Sequence, residues 1–170
     1  GLPVRVTSPL ARTTDVAEFD PASHRLVPTR TFDELQVGDR FPIPSRTVTD
    51  GQFAAFQTVS ADNHPMHYDV EHCRAHGHRA PIAHGFQVLS ATAPGAGLFP
   101  HVLGERLMGF LEQSSRFLAP VYLGDTLYPE LTITELKRQR TTGVVTLRAT
   151  VHNQHRALVL EGTQAFLVRL

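Results

Sequence analysis

Apolar and polar residues alternate strictly in one stretch of the second half of the chain. Val145, Leu147, Ala149 and Val151 are separated by polar or charged residues. Because successive side chains of a β-strand point to opposite faces, this period of two predicts a half-buried strand. Weaker patterns of the same kind predict three more strands, near residues 107–118, 127–133 and 157–168.

Turn-forming residues separate these four strands. They are Gly124-Asp125, Thr142-Gly143 and Asn153-Gln154. Because the connections are short, we expect each strand to pair with its neighbours in the sequence, in an antiparallel meander. Nearer the start of the chain, residues 41–48 predict one irregular strand that Pro42 and Pro44 interrupt.

Helical spacing replaces the alternation in the first half. Thr49 and Gln52 lie three residues apart, as in a capping box, and predict a short amphipathic helix over residues 50–60. Its expected inward positions are Phe53, Phe56 and Val59. A second helix is expected from a cap at Asp69 through His76.

A third helix is predicted to begin at His84-Gly85, with Phe86 and Leu89 pointing to the interior. Pro94 should end or kink it, because proline has no N–H to donate. By spacing, most of the following rings are expected in the core, and one or two of them beside a ligand: Phe53, Phe56, Phe86, Phe110 and Phe117. A strand, then helices, then four strands is an α+β pattern in which one apolar helix packs against a curved sheet.

Length and composition agree with one globular domain. The chain has 170 residues, of which 41% are apolar, enough for a single core. Residues 1–30 contain four prolines and no sustained period. We therefore interpret residues 1–30 as an extension and residues 31–170 as the domain.

Charge and cysteine content exclude several classes of protein. Sixteen basic and sixteen acidic side chains give a formal net charge of zero, so neither a nucleic acid nor an anionic membrane is an expected partner. The single cysteine, Cys73, cannot form an intrachain disulfide and fits a reducing compartment. The longest apolar stretch, residues 117–123, is too short to span a membrane. We therefore expect a cytoplasmic protein.

Titratable groups are concentrated in one segment. Six of the ten histidines lie between residues 64 and 84. Asp62 and His67 are five residues apart in a turn-like stretch, which can direct an acid and an imidazole toward one small volume. The nearby His84-Gly85 step can begin a helix whose first N–H groups are free. This combination predicts acid-base chemistry on a carbonyl compound.

Three blocks of the sequence resemble a known family. They read Asp62-x-x-Pro65-x-His67-x-Asp69, then Pro81-Ile82-x-His84-Gly85, then Phe117-Leu118-Ala119-Pro120-Val121-Tyr122-x-Gly124-Asp125-Thr126-Leu127. In this order and at this spacing they resemble the MaoC-like hydratases and dehydratases, which include the R-specific enoyl-CoA hydratases. The resemblance covers about residues 32–170. It implies a single hot-dog fold, an antiparallel sheet wrapped around a central helix, here the one starting near His84.

The resemblance also implies an activity and its partners. Such proteins add water reversibly, and to one face, to a trans-2-enoyl-CoA thioester and give the (R)-3-hydroxyacyl-CoA. The implied assembly is a homodimer or a higher homo-oligomer, with the acyl-CoA bound near the subunit interface. Coenzyme A is part of the substrate, and no other cofactor and no metal is needed.

Residue by residue, the resemblance implies three catalytic positions. Asp62 matches the carboxylate that accepts a proton from the attacking water, and His67 matches the imidazole that holds this water and helps deliver a proton to the α carbon. Gly85 matches the glycine whose backbone N–H meets the thioester oxygen, where negative charge develops.

Four further residues are candidates for contact with the substrate: His64, Arg79, His84 and Phe86. His64 stands where the family usually has Asn, which affects the local pH dependence, although a neutral imidazole can still donate and accept. Arg79 suits a phosphate of coenzyme A, with a solvated basic face as the alternative. His84 is interpreted as mainly structural, joining the start of the third helix to the neighbouring loop.

A metal site is a weaker interpretation of the histidines. His72 and His76 lie four residues apart on a predicted helix, with Cys73 between them. No third ligand follows at a recognisable spacing, so we assign no metal.

Two other functions stay open from the residues alone. A hot-dog thioesterase would also use a carboxylate and helix N–H groups, but it would release free thiol. A non-catalytic acyl-CoA-binding dimer would be favoured if Asp62 and His67 pointed away from the pocket. A branched or dicarboxylic acyl group is also open, because a short helix interrupted by proline suits a compact acyl group.

Overall fold

The computed structural model describes residues 17–170. Residues 1–16 of the predicted extension lie outside the described residues. Between residues 17 and 30 the chain forms a short 3₁₀ helix, Pro21–Ser23, and then meets the domain. Val27 packs against the core, and the N–H of Arg30 donates to the carbonyl of Val102 at 2.7 Å.

Four α-helices lie in the described part of the chain. They are α1 (Asp50–Ser60), α2 (Val70–Ala75), α3 (Gly85–Ser90) and α4 (Phe99–Leu103). The predicted capping box is confirmed, since Thr49 Oγ1 accepts the N–H of Gln52 and the Gln52 side chain accepts the N–H of Thr49. Asp69 caps α2 by accepting the N–H of His72 at 2.9 Å. No helix between residues 17 and 170 has the length and apolarity to cross a membrane.

Six strands form one antiparallel sheet in the described residues. They are β1 (Arg40–Pro42), β2 (Arg46–Thr47), β3 (Leu107–Phe117), β4 (Thr126–Arg138), β5 (Thr142–Asn153) and β6 (Leu158–Arg169). The order across the sheet is β1-β4-β5-β6-β3, and β2 also pairs with β4. All four long strands predicted from the sequence are present.

The expected meander is correct for β4, β5 and β6 and wrong for β3. This strand pairs with β6 and forms the far edge of the sheet instead of lying beside β4. The segment between β3 and β4 is paired elsewhere, because the N–H of Ala83 donates to the carbonyl of Val121 and the N–H of Leu123 to that of Pro81. The segment therefore crosses the fold and does not form a hairpin turn.

The turn predicted at Thr142-Gly143 is displaced toward the N-terminus. Its hydrogen bond joins the N–H of Gln139 to the carbonyl of Thr142, and Gly143 lies inside β5. A Cβ atom at residue 143 would lie 2.3 Å from the ring of Phe32, which is closer than non-bonded atoms pack. Glycine is therefore needed here for packing and not for the turn.

The inner face of the sheet is covered by α3 and α4, which Pro94 separates as predicted. Val88 of α3 and Ala91, the residue after this helix, pack in one cluster with sheet residues Leu127, Val151, Val159 and Leu160. Phe99, Val102 and Leu103 of α4 pack in a second cluster with Leu131, Ile133, Val145, Leu147, Phe166 and Val168. An antiparallel sheet around one helical segment is confirmed, with this segment broken into two short helices.

Several apolar residues predicted to be inward are exposed. The exposed fractions are 74% for Phe86, 52% for Phe110, 52% for Phe117 and 84% for Val59. The buried face of α3 is formed by Gln87 and Val88, and Phe86 lies about 100° from Gln87 and about 200° from Val88 around the helix axis, so it points away from that face. Phe110 and Phe117 are exposed because β3 is the edge strand.

Candidate active site

Asp62 lies directly after α1. The helix ends at Ser60, and the next residue, Ala61, has a φ of 59°, a left-handed conformation that residues with a Cβ atom adopt rarely. The chain turns there, and the Asp62 carboxylate is half exposed. Its Oδ1 accepts the N–H of His64 at 3.4 Å, so Oδ2 is the oxygen that faces His67.

His67 is buried at the end of a 3₁₀ helix, Pro65–His67. Its Nδ1 lies 2.6 Å from the carbonyl oxygen of Ile82. A carbonyl only accepts, so Nδ1 carries the proton and Nε2 of the neutral ring has a free lone pair. Nε2 lies 3.6 Å from Asp62 Oδ2, which is longer than a hydrogen bond and short enough for one water to contact both atoms.

The surroundings of His67 favour its neutral form. Burial lowers the pKa of the imidazole below its ordinary value of 6.5, and the nearby His84 and His64 lower it further. Two other contacts raise this pKa, namely the hydrogen bond to Ile82 and the negative charge of Asp62, but they do not reverse the net shift. At neutral pH the ring is therefore uncharged and able to accept a proton.

His84 supports His67 through a ring stack. The two ring centroids are 3.7 Å apart with 22° between the planes, and His84 is buried. Its Nε2 lies 2.9 Å from both the Tyr68 hydroxyl and the Asp62 carbonyl oxygen, and its Nδ1 lies 3.0 Å from Gln87 Oε1. These contacts join the start of α3 to the loop that carries Asp62, as predicted.

Tyr68 and Gln87 are members of this network that the sequence analysis missed. The Tyr68 hydroxyl contacts His84 at 2.9 Å and lies 3.4 Å from the carbonyls of Phe53 and Asp62. Burial and the Asp62 carboxylate raise the pKa of Tyr68, so its hydroxyl keeps its proton. The sequence does contain a signal for Tyr68, since it is a tyrosine directly after His67. The hydroxyl of a tyrosine needs a hydrogen-bond partner once its ring is buried.

Gly85 and His67 line the same groove. The first hydrogen bond inside α3 runs from the N–H of Val88 to the carbonyl of His84, so the N–H of Gly85 has no partner within the helix. The groove has a volume of about 420 Å³, and its other wall is formed by Phe117 and residues 118–121. A free backbone N–H and an imidazole therefore border one volume that can hold a small molecule.

His64 stabilises the turn that carries His67. Its Nδ1 accepts the N–H of Met66 at 3.2 Å and so caps the 3₁₀ helix. The His64 ring lies 6.4 Å from that of His67 and 5.8 Å from that of His72. The His64 imidazole thus accepts a hydrogen bond within the loop, as the sequence analysis expects of a neutral imidazole that replaces Asn.

Arg79 and Phe86 lie outside this network. The guanidinium of Arg79 pairs with the buried Asp125 at 2.7 Å and lies 4.3 Å from the centre of the Tyr122 ring. Although burial opposes the shift, hydrogen bonds from Gln154, Tyr122 and Arg79 lower the pKa of Asp125. Arg79 is still half exposed, and its contact with a phosphate of coenzyme A stays a prediction, as does a contact between Phe86 and the substrate.

Three of these side chains could place ligand atoms near one ion. One atom each from Asp62, His67 and His84 lies within 4.8 Å of the others. Imidazole lone pairs lie in the ring plane, so two stacked rings direct them side by side and not toward one point. The cluster therefore fits a shared water better than a tetrahedral metal.

Comparison with known proteins gives a consistent set of similarities. Residues 35–155 match the sequence profile of the MaoC like domain. An (R)-specific enoyl-CoA hydratase from Aeromonas caviae is 30% identical over 132 residues, which are 75% of this chain and 91% of the hydratase.

Solved structures show the same relationship. A monoamine oxidase regulatory protein from Archaeoglobus superposes with a TM-score of 0.77 and 30% identity, over 86% of this chain and 98% of its own. A Mycobacterium tuberculosis protein with a double hot-dog fold superposes with a TM-score of 0.70 and 27% identity, over 83% of this chain and 44% of its own. The expected hot-dog fold is confirmed.

Proposed function

The chain belongs to the MaoC-like family of hydratases and dehydratases, and on this premise we propose that it adds water reversibly to a trans-2-enoyl-CoA to give the (R)-3-hydroxyacyl-CoA. The observation that carries this proposal is the 3.6 Å separation between Asp62 Oδ2 and His67 Nε2 beside the groove that Gly85 borders. One water between the two side chains would lie close to a thioester bound in the groove.

Each group of the pair has a distinct task. Asp62 accepts a proton from the water while the water oxygen bonds to the β carbon of the substrate. His67 holds the same water through Nε2 and so helps deliver this proton, which the protonated Asp62 carboxyl gives to the α carbon on the same face. One water is added in total, and both side chains return to their starting protonation states.

Gly85 stabilises the charge that this addition creates. Electrons shift toward the thioester oxygen as the water attacks, and a free backbone N–H can donate to that oxygen without rearranging. Loss of one such donor typically raises a barrier by about 3 kcal/mol. The missing side chain at residue 85 leaves room for the thioester to approach the backbone.

The two alternative functions are less well supported. A thioesterase needs a nucleophile or water beside the thioester carbon, whereas the Asp62 and His67 pair suits proton transfer to and from one shared water. A non-catalytic acyl-CoA-binding protein has no need for this pair, yet His67 lines the groove and faces Asp62.

A hydration assay tests the proposal. Loss of the conjugated thioester absorbance is followed over a panel of enoyl-CoA esters, for the wild type and for Asp62→Asn. We expect a loss of at least about 100-fold in kcat/KM, because a positioned acid-base group contributes roughly 10²–10⁴-fold. Asp50→Asn, which removes an exposed carboxylate at the start of α1, is the matched control and should stay within about twofold.

Two results would contradict the proposal. The first is wild-type activity in Asp62→Asn, since the water would then be activated elsewhere. The second is release of free thiol without hydration, followed in parallel with a thiol reagent, which would establish the thioesterase.

We also propose that the chain acts as a homodimer joined along β3. This strand forms one edge of the described sheet, and its apolar side chains Met108, Phe110, Leu111 and Phe117 are about half exposed. An exposed apolar edge is a surface that another strand can pair with. Because Phe117 also lines the groove, a second copy would close the site from this side.

The oligomeric state is measured by size-exclusion chromatography with light scattering. Leu111→Glu places a charge in the middle of the edge and should convert most of the dimer to monomer. Glu112→Gln, the neighbouring change that adds no charge, should leave the dimer intact. A wild-type chain that is monomeric at all concentrations would refute the dimer.

A further inference from the structure

A buried glutamine contacts the histidine that holds the Asp62 loop. Gln87 lies on the buried face of α3, three residues after His84, and is only 9% exposed. One end of its amide lies 3.0 Å from His84 Nδ1, and the other end is buried without a hydrogen-bond partner among the described residues. An unpaired buried polar atom destabilises a fold. Because such costs are concentrated at functional positions, the contact with His84 is where a function is expected.

The opposite side of the His84 ring shows where its proton is. Nε2 lies 2.9 Å from the backbone carbonyl oxygen of Asp62. A carbonyl only accepts, so Nε2 carries a proton and donates it to Asp62. The Tyr68 hydroxyl oxygen, also 2.9 Å from Nε2, accepts from the same N–H. Its own proton points to the carbonyl of Phe53 or of Asp62, each 3.4 Å away.

The other nitrogen, Nδ1, is therefore an acceptor. If it also carried a proton, the His84 ring would be a cation that is 1% exposed and stacked at 3.7 Å on His67. Burial penalises such a charge, and no carboxylate between residues 17 and 170 forms an ion pair with His84. The neutral ring has a lone pair on Nδ1, to which only the nitrogen end of an amide can donate.

This fixes the orientation of the Gln87 amide. The oxygen and nitrogen of an amide are assigned from their hydrogen-bond partners. The NH₂ group of Gln87 therefore faces His84 Nδ1, and its oxygen is the unpaired end. One continuous series of hydrogen bonds then runs from the Gln87 amide through the His84 ring to the backbone of Asp62.

We propose that Gln87 is a positioning residue for the acid-base pair: it donates to His84 Nδ1, keeps the proton of that ring on Nε2, and so holds the backbone of Asp62 in place. The inference rests on the proposed function, because it assigns a residue that acts through Asp62. Gln87 acts through His84 and not on the reacting atoms.

The hold on Asp62 sets the space for the shared water. Asp62 Oδ2 and His67 Nε2 are 3.6 Å apart. If the His84 proton moved to Nδ1, the lone pair on Nε2 would face the Asp62 carbonyl oxygen, and two acceptors repel each other. The Asp62 loop would then shift, and a misplacement of about 1 Å can cost on the order of 100-fold in rate.

Steady-state hydration kinetics of Gln87→Met test this role. Methionine has a similar length but cannot donate a hydrogen bond. We expect kcat to fall about tenfold with KM within about twofold, because a transition-state interaction is misplaced and binding of the ester is not. Gln164→Met is the matched control, since Gln164 is also a buried glutamine with one unpaired atom but contacts Thr92. The control should keep the wild-type kcat.

A double-mutant cycle tests whether Gln87 acts through Asp62. In Asp62→Asn the carboxylate that takes the proton is already lost, so adding Gln87→Met should lower kcat little further. Equal fold losses in the wild type and in Asp62→Asn would contradict this route.

The hydrogen-bond pattern of His84 is measured by NMR. Long-range proton–nitrogen correlation spectra separate an imidazole nitrogen that carries a proton from one with a lone pair, and His84→Ala assigns the signals. In the wild type we expect a protonated Nε2 and a hydrogen-bonded lone pair on Nδ1. The Nδ1 signal should lose its hydrogen-bond shift in Gln87→Met and keep it in Gln164→Met.

Two outcomes would overturn the inference. A proton on His84 Nδ1 in the wild type would reverse the hydrogen bond. An active wild type with an equally active Gln87→Met would show that the contact does not position the pair. The spectra need no turnover, so a chain with the expected His84 signals that hydrates no ester refutes the proposed reaction and leaves the hydrogen-bond pattern established.

Discussion

Two pairs of stacked histidines lie close together in the sequence and in very different surroundings. The His67 and His84 rings are 3.7 Å apart at 22°, and the His72 and His76 rings are 4.2 Å apart at 29°. The first pair is buried, whereas in the second His76 is exposed at the end of α2 and His72 is only partly buried. His76 Nδ1 contacts the carbonyl of His72 at 2.7 Å. The stacking is nearly the same, so stacking alone does not make a site.

The difference lies in what the ring nitrogens contact. In the buried pair, Ile82, Asp62, Tyr68 and Gln87 surround the nitrogens, and these contacts set which nitrogen of His67 is free. In the second pair His76 is exposed to solvent, whose dipoles are free to reorient. The comparison teaches that fixed polar partners and burial, and not the density of histidines, mark the reactive position.

The largest contrast is expected in activity. His67→Ala removes the imidazole that holds the water and should lower kcat/KM for hydration by at least about 100-fold. His72→Ala removes a ring of the second pair and should stay within about twofold. Both are measured by loss of the conjugated thioester absorbance, with circular dichroism to verify folding. Equal losses in the two variants would erase the distinction between the pairs.

The second contrast is in stability. His84→Ala leaves a cavity and removes partners from Tyr68 and Gln87, so it should lower the free energy of unfolding by about 2–4 kcal/mol. His76→Ala should change it by less than about 0.5 kcal/mol. Denaturant unfolding of each variant gives the two values. A His84→Ala protein as stable as the wild type would mean that the ring stack does not stabilise the fold.

Tyr68→Phe gives a smaller effect. The ring stays, but the hydroxyl that contacts His84 is lost, which should cost about 1 kcal/mol of stability and roughly tenfold in kcat with little change in KM. Tyr128→Phe, a change of the same type at a half-exposed ring on β4, is the control. A rise in KM with no change in kcat would assign Tyr68 to binding instead of to positioning.

The smallest effect is a shift in pH dependence. Because burial lowers the pKa of His67 below 6.5, the neutral ring persists below that pH, and kcat/KM should fall only as the pH drops under about 6.5. The same shift means that stability from this residue is present above pH 6.5 and is lost as the pH falls toward the pKa in the folded protein. In Asp62→Asn, NMR titration should give a still lower His67 pKa, because the carboxylate raises it. An acid limb above pH 6.5 would be inconsistent with this environment.

Local patterns in the sequence were sufficient for much of the fold. The alternation over residues 145–151 corresponds to β5, and Thr49 with Gln52 caps α1 as expected. These features depend on interactions between residues a few positions apart. The spacing of apolar residues and the types of the capping residues therefore predict them directly. The motif that contains Asp62 and His67 likewise brings two proton-transfer groups together within one turn.

Long-range neighbours decided what local patterns left open. The exposure of Phe110 and Phe117 depends on β3 pairing with β6 at the edge, and nothing within β3 encodes that choice. The exposure of Phe86 depends on which face of α3 packs against the sheet, because successive residues are turned by about 100° around the helix axis and the buried ones are Gln87 and Val88.

The sequence by itself determined the family, the strand and helix types, and the candidate pair Asp62 and His67, because these follow from side-chain chemistry and short spacing. Only the tertiary structure decided which nitrogen of His67 is free, that one end of the Gln87 amide is unpaired, and which histidine pair is buried. Each of these depends on a carbonyl, hydroxyl or ring supplied by a distant part of the chain. Hydrogen-bond direction and desolvation act over a few ångströms in space, whatever the separation along the sequence.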